Sequence, residues 1–373
     1  MNSSDVIDIP APTPWPPPPQ VDVATTPAPA VEHCFEFHGN AREYFRIWIV
    51  NLALGIVTLG IYSAWAKVRT EKYFYGNTRV ADAAFDYHAP PLNILKGRII
   101  AFMLFGSYTL AGHLRLSMQF WLALLIVVLM PWLIVRGAAF RARYSSWRGI
   151  HFRFVPDYAA AYINYLLMYL LVAITLGILG PYVKAKQRAF IVEHHRYGGK
   201  WFTFHAGPGK FYPPYLTALG AGIALIVFTI VGVIAAIGVA GSLGDAPADH
   251  QQPVWLVFGM MACMYSGGFV ILAYLTAALV NLVWNHIQID GHRFSSTQKG
   301  HHLLWIYFSN TLAILASVGL LIPWAMIRLA RYRAEHLVLV QRGDLDHFVA
   351  EAGQDVSAFG AEVDSFFDID IGI

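Results

Sequence analysis

Seven apolar segments, at about residues 47–61, 99–110, 120–135, 162–179, 216–240, 254–283 and 303–324, limit what this chain can fold into. Several reach the roughly 20 residues that a helix needs to cross about 30 Å of hydrocarbon. With 57% hydrophobic and 13% charged residues, the composition excludes an ordinary soluble domain. The spacing predicts a polytopic membrane protein.

Basic residues set the topology. They cluster at Lys67–Arg79, Lys96–Arg98, Arg136–Arg153, Lys184–Lys210, Arg293–Lys299 and Arg328–Arg342, whereas 241–253 holds Asp245 and Asp249 and no base. Since Lys and Arg remain on the cytoplasmic side, the clusters are expected inside and the 241–253 loop outside. Seven successive crossings cannot deliver this, because the clusters after the first, third, fourth, sixth and seventh segments would alternate sides. The conflict falls on 44–65, 157–182 and 301–325, which are expected to enter and return or to lie along the inner interface. Gly60, Gly177 with Pro181, and Gly319 with Pro323 permit a broken helix there, and conventional helices that contain glycine are the alternative. Segments 98–136 and 214–283 then form ordinary transmembrane hairpins.

The three exceptional segments are versions of one pattern: TLGIYSAWAKVRTEKYFYGNT at 58–78, TLGILGPYVKAKQRAF at 175–190 and SVGLLIPWAMIRLARYR at 317–333. Aligning Trp65 with Trp324 also aligns Gly60 with Gly319 and Asn51 with Asn310. A Pro or Ala at 64, 131, 181 and 323 is followed five residues later by Arg69, Arg136, Lys186 and Arg328, and nine residues later by Tyr73, Phe140, Phe190 and Tyr332. Residues four apart share a helix face, so each base is expected to reach lipid phosphate while its ring packs at the interface beneath. Convergence of several copies on one anionic ligand is the alternative. Within the apolar runs, Asn51, Thr58, Thr175 and Asn310 are the polar candidates, either as hydrogen bonds between helices or as the lining of a polar path.

Short polar and aromatic tails follow at 77–87, 144–154, 196–204 and 287–294, each with turn residues and a phenylalanine, and are expected to form small cytoplasmic β-hairpins. The predicted fold is thus an all-α polytopic membrane protein with internal repeats and small hairpin elements. Its organisation is a proline-rich leader over 1–33, repeat units over 34–156 and 157–300, a third copy of the repeated segment over 301–342 and an acidic tail over 343–373. Asp5, Asp8 and the PAPTPWPPPP run point to a disordered tether and not a signal peptide. The tail carries eight acids and no base, so removing them from the net charge of +3 leaves a body of +11. Either it is solvated or it covers the basic cytoplasmic face.

The stretch from Phe37 to Tyr87 resembles the signature of the YjgN-type family of bacterial inner-membrane proteins. The resemblance rests on Phe37, Gly39, Tyr44–Phe45, Trp48, Asn51, Thr58–Tyr62, Trp65–Arg69, Tyr73, Asn77–Thr78 and Phe85. It implies a multi-pass inner-membrane protein whose domain has no known function, and it transfers no catalytic residue. The leader and the acidic end depart from it.

No metal or cofactor is expected. Cys34 and Cys263 are isolated, and the His194–His195 and His301–His302 pairs lack the spacing of a zinc motif. No nucleotide loop, serine-hydrolase elbow or nucleic-acid groove is legible, so the expected partner is the phospholipid bilayer, with anionic head groups foremost, and no nucleic acid. Broken repeats with intramembrane amides rank transport or conductance of a small solute first. A non-transporting lipid-associated or scaffold protein with a basic cytoplasmic face is the alternative, and no acid, base and nucleophile set suggests an enzyme.

Overall fold

The structure, a computed structural model, describes residues 31–242 and 254–353. The predicted proline-rich leader, the outer loop and most of the acidic tail lie outside the described residues.

The chain repeats one plan: a strand, two antiparallel helices, and a second strand that pairs with the first. The first unit is β2 (Glu36–Phe37), α1 (Ala41–Val57), α2 (Ser63–Asn77) and β3 (Thr78–Val80). The second is β4 (Ala83–Tyr87), α3 (Pro91–Leu114), α4 (Leu116–Arg143) and β5 (Ser145–Trp147). In the third, β6 (Ile150–Phe154) leads into α5 (Tyr158–Tyr162), a π turn (Ile163–Leu167), α6 (Met168–Ile174), α7 (Gly180–Glu193) and β7 (His195–Tyr197). The fourth comprises β8 (Lys200–Phe204), α8 (Tyr212–Ser242), α9 (Val254–Trp284) and β9 (Ile287–Ile289), and the fifth β10 (His292–Ser296), α10 (Gly300–Ala316), α11 (Ile322–Glu335) and β11 (Leu337–Gln341).

These strands correct the expected fold class. In place of an all-α protein with small separate hairpins, there is one 11-stranded antiparallel sheet in the order β1-β11-β10-β9-β8-β7-β6-β5-β4-β3-β2. Segment 31–37 nearly closes it into a barrel: β1 (Val31–Cys34) pairs with β11 while β2, one residue further on, pairs with β3. The predicted hairpins exist, but each is stabilised by its neighbours, as an isolated two-stranded hairpin would not be. Two-residue turns connect the units, and at Ala81–Asp82, Arg148–Gly149 and Asp290–Gly291 both residues have positive φ, the geometry that matches strand twist.

The sheet encloses aromatic rings. Phe85, Phe152, Phe202 and Phe294 are each the third residue of their strand and lie against the same core, which Phe35 joins at the β1–β2 break. Phe35 stacks on Phe85 (centroids 6.2 Å apart), Phe85 on Phe152 (6.5 Å) and Phe152 on Phe202 (6.4 Å). Trp147, Tyr197, Ile289 and Leu339 fill the same interior. At about 1.5–3 kcal/mol per buried large side chain, this packing outweighs the exposed ion pairs at its rim.

A helical segment over 345–353, the first part of the acidic tail, covers one mouth of the sheet. Phe348 stacks on Tyr197 at 5.7 Å and meets the edge of His292 at 4.8 Å. Asp346 pairs with Arg148 at 2.6 Å, Glu351 with Lys200 at 2.9 Å, and the Ala352 carbonyl accepts a hydrogen bond from the Gly199 N–H. A Cβ on Gly198 would overlap that carbonyl oxygen.

Among the described helices, four are long and apolar enough to cross a membrane, at Pro91–Leu114, Leu116–Arg143, Pro208–Gly238 and Trp255–Trp284, matching the two predicted hairpins. The other three units are short. Their tips have one conformation: Leu59 and Gly60 at φ 50° and 92°, Leu176 and Gly177 at 49° and 90°, Val318 and Gly319 at 51° and 90°. In each, the glycine N–H reaches back to the carbonyl of the residue five earlier, at 2.7, 2.8 and 2.8 Å. This closure satisfies carbonyls that a helix end leaves free.

Candidate functional site

The polar candidates take two roles. Thr58 and Thr175 cap the tips: the Thr58 hydroxyl donates to the Leu54 carbonyl at 2.7 Å and accepts from the Tyr62 N–H at 2.9 Å. Thr175 does the same with Leu171 and Leu179, and Ser317 repeats the acceptor role toward the Leu321 N–H. Asn51 and Asn310, aligned in the repeat, are both buried but unequally satisfied. Asn310 donates to the Ala325 carbonyl and accepts from Arg328 at 3.2 Å, whereas the buried Asn51 Oδ1 meets no hydrogen-bond donor.

The base and aromatic positions separate. Tyr73, Phe140, Phe190 and Tyr332 are buried inside the protein. Tyr73 accepts from the Asn40 N–H at 2.8 Å and donates to the Asn40 carbonyl at 3.1 Å, and Tyr332 holds Lys299 in the same way at 2.8 and 3.2 Å. Each hydroxyl thus ties the outgoing helix of a unit to the start of its ingoing helix. Burial raises both phenol pKa values, the main cause in each case. The bases lean instead on rings four residues earlier: Arg136 over Trp132 (5.7 Å), Lys186 over Tyr182 (5.9 Å) and Arg328 over Trp324 (5.3 Å). Arg69 donates to the Tyr62 hydroxyl at 2.9 Å.

Only part of the predicted set converges. A cleft of about 640 Å³ opens where α1 packs beside α10 and α11, and Arg328 and Tyr332 line it. Asn310 and Ser309 stand behind Arg328 as its hydrogen-bond acceptors. Asn51, Arg69, Tyr73, Arg136, Phe140, Lys186 and Phe190 do not line this cleft. The structure adds residues that the repeat did not single out. Arg331 is exposed, sits one turn after Arg328 and donates to the Gly39 carbonyl at 3.2 Å. His302 and Trp305 face it from α10, and Asn40 and Ala41 from the first turn of α1. Loss of solvent, then the neighbouring His301, Lys299 and His336, holds the His302 pKa below its ordinary value. Arg331 carried a local signal, a second base on the Arg328 face. No local signal could place Asn40 opposite it, some 290 residues away.

The family of bacterial proteins of unknown function DUF898 matches residues 32–366, nearly the whole described structure. The chain belongs to this family. It is similar to inner membrane protein YjgN of Salmonella typhimurium, 25% identical over 355 residues that cover 84% of this chain and 89% of that protein. It is also similar to inner membrane protein YjgN of Escherichia coli K12, 32% identical over 125 residues covering 33% of this chain and 31% of that one. No solved structure matches it. With its four long apolar helices, this DUF898 chain is an integral membrane protein, as the sequence resemblance implied.

Proposed function

We propose that this DUF898 protein is a non-transporting, non-enzymatic scaffold of the bacterial inner membrane that works on the lipid around it. The observation that carries this reading is the aromatic filling of the sheet: stacked Phe35, Phe85, Phe152 and Phe202, closed below by Phe348, oppose an aqueous path along its axis. The transport reading asked for one polar cavity lined by Asn51 and Asn310, and neither residue lines the cleft.

Every helical pair leaves the sheet and returns to it, so one face of the membrane receives all ten helix ends, with the basic clusters and the 345–353 helix on the cytoplasmic side. The aligned Pro and Ala positions give depth. Leu59, Leu176 and Val318 precede theirs by five residues, whereas Arg115 at the tip of the second unit precedes Pro131 by 16. At 1.5 Å per residue the short tips stop about 16 Å lower, near the midplane of a roughly 30 Å core. Those apolar tips are 95%, 93% and 92% exposed to their surroundings, which suits lipid.

Two measurements test this. In a Cys34→Ser, Cys263→Ser background, in cells and in inside-out vesicles, cysteines replacing His38 and Lys72 are expected to react with an impermeant maleimide from the same, cytoplasmic side, while Leu59→Cys stays protected. Opposite-sided labelling would end the re-entrant arrangement. Purified protein in liposomes is expected to release trapped ions and sugars no faster than empty vesicles, and saturable protein-dependent flux would overturn the scaffold reading.

A further inference from the structure

We infer that the cleft between α1, α10 and α11 is a binding site for one anionic phospholipid, with the phosphate held by Arg331 and Arg328 and the lipid body lying toward Trp305 and Trp324. This deepens the scaffold reading and rests on it, by naming the ligand class of that surface.

Charge comes first. Arg328 and Arg331 are three residues apart on one face of α11, and the first turn of α1 at Asn40 and Ala41 opens onto the same space. The Asn40 and Arg42 N–H groups are taken by the Tyr73 hydroxyl and the Asn40 side chain, so this helix start offers the cleft its positive dipole end, and the guanidinium groups make the strong charge-assisted bonds to phosphate. Glu335 is the one acid in the lining.

Polarity along the cleft has the order of a lipid. Arg331 lies close to the sheet end of α11, and Trp324 seven residues earlier lies about 10 Å further into the membrane. Trp305 is 62% exposed, as an indole at the membrane interface would be. The second base is shared with the first unit, where Lys72 holds the position of Arg331, but not with the second and third, where Ala139 and Ala189 hold it. At about 640 Å³, the cleft has the size of a small-molecule site, suited to a head group and glycerol.

The test uses the full chain, extracted from phosphatidylcholine nanodiscs containing a minor fraction of phosphatidylglycerol and weighed by native mass spectrometry. One phosphatidylglycerol is expected to be retained, with affinity lowered about tenfold by Arg331→Gln and by Trp305→Ala, and unchanged by Lys186→Gln. Equal retention by wild type and both variants would overturn the site. Should Arg331→Gln fail to fold, Trp305→Ala decides, because its exposed ring carries no hydrogen bond of the fold. Displacement of the lipid by inorganic phosphate alone would reassign the cleft to a free anion and overturn the lipid assignment. Unchanged retention with no solute flux removes the site but leaves the scaffold, whereas flux with specific retention removes the scaffold but leaves the site.

Discussion

Individual side chains in this protein act mostly as fasteners between consecutive elements. Tyr73 and Tyr332 do the same work 259 residues apart, each replacing a backbone partner at the start of an ingoing helix. In the third unit, Phe190 has no hydroxyl and the Asp157 carboxylate accepts the Ala160 N–H instead. His195, on the strand after α7, illustrates the cost of such packing. Burial holds its pKa below the ordinary histidine value, Arg141 and His194 act in the same direction, and its hydrogen bond to the Ile191 carbonyl only partly opposes them. The unfolded chain therefore takes up a proton near pH 6.5 that the folded chain still refuses, so this contribution is fully present above that pH and is lost as pH falls below it. Thermal unfolding in detergent is expected to show a melting temperature that drops from pH 7.5 to 5.5, with a shallower drop in His195→Gln. An equal drop in both would remove His195 as a source.

At the scale of elements, hydropathy and glycine placement told most of the story. The long hairpins were legible from their length, and the short ones from the parity conflict together with Gly60, Gly177 and Gly319. Their common tip explains why glycine recurs: Leu59, Leu176 and Val318 already bear the cost of φ near +50°, and φ near +90° at the next residue penalises any L side chain, which glycine avoids. A Cβ at Gly60 or Gly177 would meet no neighbour within 4 Å, so the penalty is purely one of backbone. Alanine at either position is expected to destabilise by about 1–2 kcal/mol, equally at the two sites, measured as the loss of melting temperature in one detergent. A negligible loss at either would mean that its tip is not held in this conformation. The expected pairing of base and aromatic divides at this scale: Tyr73, Phe140, Phe190 and Tyr332 turn into the neighbouring helix and sheet, while Arg69 and Lys186, on the same helices, stay exposed.

For the molecule as a whole, the decisive feature is ring closure, and it was the least legible. Four of the five strand pairs that link units are joined by tight turns and follow from local signals. The fifth joins β1 to β11 across about 300 residues, and only the structure reveals that the segment Val31–Phe37 supplies the partner of Leu337–Gln341. The register offers a direct check, since Cys34 faces Val338 next to the hydrogen bond from the Phe35 N–H to the Leu337 carbonyl. That is a non-hydrogen-bonded pair of an antiparallel ladder, where Cα atoms lie about 4.5 Å apart, within reach of a disulfide. Val338→Cys in a Cys263→Ala background is expected to cross-link to the native Cys34 under mild oxidation, seen as a shift on a non-reducing gel and by mass mapping. Failure to cross-link, while the chain stays folded, would exclude closure in this register.

Membrane class, the two long hairpins, the three short glycine-tipped helix pairs and the turn residues were already decided by residues near one another, because hydropathy, helix periodicity and backbone preference act within a few turns of chain. Asn310, Arg328 and Tyr332 were singled out by spacing of the same local kind. The barrel-like sheet, its aromatic filling, the covering helix at 345–353 and the cleft beside α1 were not. Each depends on strands and helices from distant units arriving side by side, and only packing in three dimensions settles which of several compatible partners a strand takes.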